Sequence, residues 1–313
     1  MSRGSCGRVA AQNGASPPSR SYHGQPILKQ PVWTWEIPLY FYAGGLAGSS
    51  AGLALLAEVR GNEILARRAW AAALAGITVS PVLLISDLGR STRFLNMLRM
   101  FKVTSPMSVG SWILSGSGAA TTLAAFNAWT GFLPRSGRVA KISAAILGLP
   151  LSTYTAALVS DTAVPVWHEA RHELPFVFAA GAALSAGAAA CALVPPRHAA
   201  PARRLALAAA VAELGLEELM EKRIGEHAEP YEATRPKRLK RASQVCVTAG
   251  SLLLATQGRH SRGTAAVAGA LQSAGAVLTR SSIFRAGFVS AADPKYVVGP
   301  QRARLARRSQ LSA

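Results

Sequence analysis

Four side chains of this sequence are placed to exchange protons at the edge of an apolar region: Glu36, Asp87, Tyr154 and Asp161. Carboxylates and a phenol in such positions can hydrogen-bond a polar group and pass protons to or from it. Two further acids, Glu213 and Glu217, fall inside the apolar run A-R-R-L-A-L-A-A-A-V-A-E-L-G-L-E-E-L-M-E-K-R. A carboxylate that deep is costly and by default marks a proton, ion or substrate path. The two lie one turn apart on one face, with Glu218 and Glu221 behind them. The competing reading shifts the helix so that these acids sit at the membrane edge beside Lys222 and Arg223.

The stretch from Ser86 to Trp112, S-D-L-G-R-S-T-R-F-L-N-M-L-R-M-F-K-V-T-S-P-M-S-V-G-S-W, concentrates charge between two long apolar segments. It spends a Gly89 hinge and a Pro106 helix start on a defined shape, which a simple turn would not need. Arg90 and Arg93, three residues apart, are suited to pair with Asp87 or Asp161 or to hold the acidic surface of a partner. At least one is expected to serve a pairing within the chain. Further along, Asp161, Trp167, His168 and Glu169 form a dense polar set, of a kind that a solvated loop also contains.

These residues need a scaffold, and composition names its class. Half of the 313 residues are hydrophobic and only 16% are charged, against ~25% charged in soluble domains. The net charge of +19 would suit a nucleic-acid partner, but no nucleic-acid motif accompanies it. Instead the basic residues separate apolar runs of about 20 residues, each able to cross a ~30 Å hydrocarbon core. The expectation is an all-α, polytopic integral membrane bundle of eight helices: 38–58, 66–86, 107–130, 139–160, 174–194, 203–222, 242–258 and 263–280. The last two are short and rich in Ala and Gly, which suits a buried place in the bundle. Around this domain, 33–280, a disordered N-terminal tail is expected over 1–32 and a basic C-terminal tail over 281–313. Arg302, Arg304, Arg307 and Arg308 of that tail suit anionic headgroups or plain solvent.

An even number of helices puts both termini on one side, and that side holds 23 of the 34 lysines and arginines. Positive-inside logic places it in the cytoplasm. Residues 1–30 lack the apolar core of a secretory signal, so the first helix is expected to act as the insertion signal. In that helix Gly44, Gly48 and Gly52 recur every four residues, a face for close helix packing or for a cofactor against bare backbone. Trp33, Trp35, Tyr40 and Tyr42 read as an interfacial aromatic belt. Pro150 is expected to kink the fourth helix just before Tyr154. Cys6, Cys191 and Cys246 are far apart, so no iron–sulfur cluster or zinc site is expected. The histidines fall outside the apolar runs or at their edges, which argues against haem b.

Several of these stretches together resemble the NrfD/polysulfide-reductase membrane-subunit family. The resemblance is carried by D-L-G-R-x-x-R-F (Asp87 to Phe94), S-P-M-S-x-G-x-W (Ser105 to Trp112), P-L-Y-F-Y-A-G-G-L-A-G of the first helix, Tyr154-Thr155-Ala156 and V-P-V-W-H-E. It implies a quinone-interacting subunit, using menaquinone or ubiquinone, without redox centres of its own. It further implies a ferredoxin-like iron–sulfur partner subunit and, beyond it, a molybdopterin catalytic subunit of formate-dehydrogenase-like or polysulfide-reductase-like type. The quinone site is then expected in an N-terminal four-helix bundle. Tyr154, Asp87, Asp161 and Glu36 would be its proton-handling groups. Trp35, Tyr40, Gly44 and Gly45 would line it from the first helix, and Arg90, Arg93, Ser105, Pro106, Met107, Ser108 and Trp112 from the charged stretch. Trp167 and His168 would close it. Some members carry His or Asn near the start of the first helix, where this chain has Trp35 and Glu36. Two other readings stay open: a proton- or solute-coupled transporter built on Glu213 and Glu217, and a purely structural membrane anchor.

Overall fold

The structure, a computed structural model, describes residues 27–90, 92–299 and 310. Most of the expected N-terminal tail, and Arg302, Arg304, Arg307 and Arg308, lie outside these. Among the described residues the chain is helical: α1 (Glu36–Val59), α2 (Glu63–Asp87), α3 (Arg93–Arg99), α4 (Pro106–Thr130), α5 (Pro134–Ser160), α6 (Pro165–Glu169), α7 (Leu174–Leu193), α8 (Ala200–Ile224), a 3-10 segment (Gly225–Glu232), α9 (Thr234–Thr256) and α10 (Arg262–Ala292). Eight long helices stand where the eight membrane helices are expected, and the charged stretch contributes the short α3. Proline opens α4, α5, α6, α7 and α8, where its missing N–H costs nothing. Asn62 caps α2, its side chain accepting from Leu65 N–H at 3.2 Å. Four helices, α1, α2, α5 and α7, are long and apolar enough to cross a membrane by length and composition.

Consecutive long helices pair as α1 with α2, α4 with α5, α7 with α8 and α9 with α10. The first four form one group, and the last four a second. α1 joins them, packing on α2 and α5 in its own group and on α7 and α10 in the other. Small residues set how closely it approaches: a Cβ on Gly48 would fall 2.3 Å from the Gly148 carbonyl oxygen, and one on Gly76 2.7 Å from that of Ala43. Such bare-backbone contacts replace the hydrophobic drive that lipid does not supply. Aromatic residues concentrate at the end where α1 begins, where Tyr40, Phe41, Trp167, Phe178 and Phe284 share one core. The other end is filled largely by alanine around Leu65, Trp70 and Leu254.

Two expectations are corrected. The last helix does not stop near residue 280 but continues to Ala292, so residues 281–292 belong to the bundle rather than to a tail. Ile283, Phe284, Gly287 and Ser290 recur at helical spacing and are buried, while Arg285 keeps partial exposure. The expected burial of the last two helices holds for α10 alone. α9 begins eight residues earlier than read from the sequence, and it buries only Pro236, Ser243, Val247, Gly250 and Leu254. Its basic first turns, T-R-P-K-R-L-K-R, hold it at the periphery.

Candidate functional site

Tyr154 lies on the last turns of α5, at the end of the bundle where α1 and α4 begin. Its ring rests against Gly110, where a Cβ would come within 2.3 Å of Cε2. Tyr40 meets it edge to face, at 6.5 Å between centroids and 71° between planes. Leu83, Leu84 and Ile113 pack on the same core as this ring. The hydroxyl is shielded from solvent and has no hydrogen-bond partner among the described residues. Leaving such a group unpaired costs ~1–3 kcal/mol, so a ligand oxygen that completes it gains correspondingly.

The same end gathers two of the expected acids. Thr34 N–H and Thr34 Oγ1 both donate to Asp87 Oδ1, at 3.1 and 2.9 Å, and Thr34 Oγ1 also contacts Glu36 Oε2. One threonine therefore ties the C-terminus of α2 to the start of α1 and brings both carboxylates to one hydroxyl. Thr34 carried no signal in the sequence. At the same end of the bundle the S-P-M-S segment is tied up by its own hydrogen bonds. Ser105 Oγ caps α4 by accepting Ser108 N–H at 3.4 Å, while Ser108 Oγ donates to Met100 O at 2.9 Å and accepts Lys102 N–H at 3.0 Å. Gly89, at φ 68°, makes the hinge that turns the chain out of α2, a backbone state that glycine adopts without strain. Ser105, Pro106 and Ser108 thus shape the start of α4, and Gly110 one turn later receives the tyrosine.

Several expected site residues are used otherwise. Trp167 is fully buried, its indole N–H donating to Ile283 O at 2.8 Å. It stacks between Trp33 at 5.8 Å and Phe284 at 6.1 Å, so its faces are closed to a cofactor. Gly45 is likewise closed, since a Cβ there would meet Ala182 at 3.1 Å and Arg280 at 3.2 Å. Tight packing, not a cofactor face, explains Gly45, while Gly44 is buried with ordinary spacing to Ser80 and Leu151. Arg90 and Arg93 are exposed, and among the described residues neither forms the expected pair with Asp87 or Asp161; Arg93 donates to Leu88 O at 3.3 Å. Asp161, the C-cap of α5, and His168 are exposed too. His168 Nδ1 lies 3.4 Å from Ser160 O. Met107 and Trp112 are 44% and 45% exposed, the latter edge-on to Phe101. Trp35 walls a basic recess of about 550 Å³ with Arg235, Arg238, Arg285 and Phe284.

A family model described as polysulfide reductase, of the NrfD type, matches residues 20–293. The chain belongs to that family. No curated protein matches it in sequence. A polysulfide reductase (NrfD) chain of this kind is a membrane subunit of an oxidoreductase complex, which agrees with its apolar helices.

This NrfD chain also holds a second polar cluster, in its later four helices. Glu213 and Arg280 have side chains only 1% exposed and approach to 4.0 Å. Gly181 makes their room, since a Cβ there would lie 2.4 Å from Glu213 Oε1. Arg280 donates to Ala276 O at 3.0 Å and Phe178 O at 3.4 Å and lies 5.6 Å over the Phe178 ring. Glu213 and Glu217 are both buried inside the bundle, and both keep carboxylate oxygens without hydrogen bonds. Beyond Glu217 a small cavity of about 10 Å³ is lined by Tyr231, Thr279, Glu221 and Lys240, the last two paired at 2.5 Å. That is about the space of one water. Burial pushes the Tyr231 phenol up, away from ionisation. Arg280 went unrecognised because its position at the supposed helix end read as a loop charge.

Proposed function

We propose that this chain is the membrane anchor and quinone-interacting subunit of its oxidoreductase complex, exchanging electrons with an iron–sulfur partner subunit. The observation that carries this reading is the buried, unpartnered Tyr154 hydroxyl beside Tyr40 and Gly110. The chemistry there suits a quinone headgroup: its ring needs aromatic and aliphatic walls, and its oxygens need one donor or acceptor in an otherwise apolar setting. A bound quinol supplies two electrons and two protons. Tyr154 would orient one oxygen by hydrogen bonding and hold a proton at Oη. Asp87 and Glu36, held together by Thr34 at the same end of the bundle, would take protons toward solvent. The electrons require an acceptor outside this chain, which we place in a ferredoxin-like subunit serving a molybdopterin enzyme.

That partner would dock at the end where α1 begins. Exposed Arg90 and Arg93, with the recess of Arg235, Arg238 and Arg285, offer positive charge there to an acidic surface. We further place both termini and this docking face in the cytoplasm, from the excess of Lys and Arg on that side, with the chain in the cell membrane. The test compares Tyr154→Phe, Asp87→Asn and Arg93→Ala in the purified complex, measuring quinol-dependent electron transfer and subunit retention together. The first two should slow turnover ~10²- to 10⁴-fold with subunits retained, and the third should loosen the partner. Full turnover in both Tyr154→Phe and Asp87→Asn would remove the site from this end.

A second reading is favoured by the Glu213–Arg280 cluster. Its carboxylate oxygens without hydrogen bonds and the water-sized cavity beyond Glu217 support a proton route through the later helices, running beside the quinone chemistry or coupled to a solute.

A further inference from the structure

From Ser152 and Thr153, next to Tyr154 in the chain, toward the opposite end of the bundle, a groove of about 950 Å³ opens between α1, α5, α7 and α8. Its floor is made by Ala179 and Ala183 of α7, and one wall by Gly48, Gly52 and Leu56 of α1. The groove follows α1 from Gly48 to Arg60. Twelve residues at ~1.5 Å each give about 18 Å, the depth of roughly one leaflet of a ~30 Å core. The polar groups along it are already partnered inside the protein. Ser49 and Ser152 meet at 3.3 Å, Ser152 donates to Gly148 O at 2.8 Å, and Asn62 donates to His198 O at 2.9 Å. What remains is an apolar trough.

Its mouth differs. Arg60 and Arg204 both line the groove there, and among the described residues neither guanidinium forms an ion pair. The nearby acid Glu58 is engaged elsewhere, by Lys141 at 2.9 Å and by the Trp70 indole N–H at 2.9 Å. An apolar trough one leaflet deep, ending in two arginines without acids, has the polarity of an anionic lipid. We propose that the groove binds one anionic phospholipid, its acyl chain along α1 and its phosphate between Arg60 and Arg204. Arginine presents a planar fork of donors to phosphate oxygens, and basic pockets between membrane helices select charged headgroups. This site is independent of the quinone reading.

The test uses the full chain purified from membranes with whatever subunits accompany it, delipidated and titrated with phosphatidylglycerol or phosphatidylcholine while bound lipid is counted by native mass spectrometry. Phosphatidylglycerol should bind once per chain and more tightly than phosphatidylcholine. Arg60→Gln with Arg204→Gln should weaken phosphatidylglycerol about 30-fold, as two headgroup-facing charges are lost. Gly52→Leu places a side chain in the trough, where a Cβ meets nothing within 4 Å, and should abolish binding of both lipids. Arg68→Gln, an exposed charge on the same side of the bundle, should change nothing. Equal affinity for the two lipids, indifference to the double arginine variant, or a quinone as the molecule displaced by Gly52→Leu would each overturn the proposal.

Discussion

The ring of Tyr154 occupies the space that a side chain on Gly110 would fill, with 2.3 Å between the position of that Cβ and Cε2. α4 thus offers bare backbone to α5 where the phenol must be held in place. Gly110→Ala should push the ring aside at a cost of ~1–3 kcal/mol for overpacking. A catalytic group displaced by about 1 Å can cost ~10²-fold in rate. Quinol turnover should therefore fall far more than the thermal stability of the complex. Parallel melting and turnover measurements check this, and normal turnover would mean that the ring's position is unimportant.

Trp167 should behave as a packing residue. Trp167→Ala removes a fully buried ring stacked on Trp33 and Phe284 and should destabilise the chain by ~3–5 kcal/mol. The KM for quinol in the protein that remains folded should be unchanged. Detergent-challenge melting and steady-state kinetics on the same preparation separate the two effects, and a raised KM with normal melting would return Trp167 to the quinone site.

The Glu213–Arg280 pair gives a third expectation. Glu213→Gln strands a buried guanidinium and should destabilise by ~3–5 kcal/mol, whereas Glu213→Leu with Arg280→Met should recover most of that loss. Unfolding in a detergent series measures both variants. The double variant then tests the proton route: if the later helices conduct protons, it should label with quinone normally and yet lose proton movement.

Much of the scaffold was legible because its signals are local. The proline at the Pro106 helix start and the long apolar runs each act within a few residues of where they stand, so helix number and most boundaries could be read directly. The acid pair Glu213 and Glu217 stood out for the same reason, as charge inside an apolar run. What escaped depends on contacts between distant segments. Residues 281–292 read as a polar tail, since their use depends on Trp167 lying over Gly287, where a Cβ would fall 2.0 Å from its ring. The spacing of Ile283, Gly287 and Ser290 was the available clue. Trp167 itself was misjudged from its polar neighbours His168 and Glu169, which point its loop outward while the indole turns in. Thr34 could not have been found, because its importance comes from Asp87, 53 residues away.

The central claim is that a quinone binds against Tyr154, and photolabelling tests it most directly. The assembled complex is irradiated with a quinone carrying a photoreactive group on its ring, and labelled peptides are mapped. Label is expected in the beginnings of α1 and α4 and the last turns of α5, around Tyr40, Gly110 and Tyr154, and it should weaken in Tyr154→Phe. Label confined to α8, α9 and α10, unchanged in Tyr154→Phe, would contradict the account.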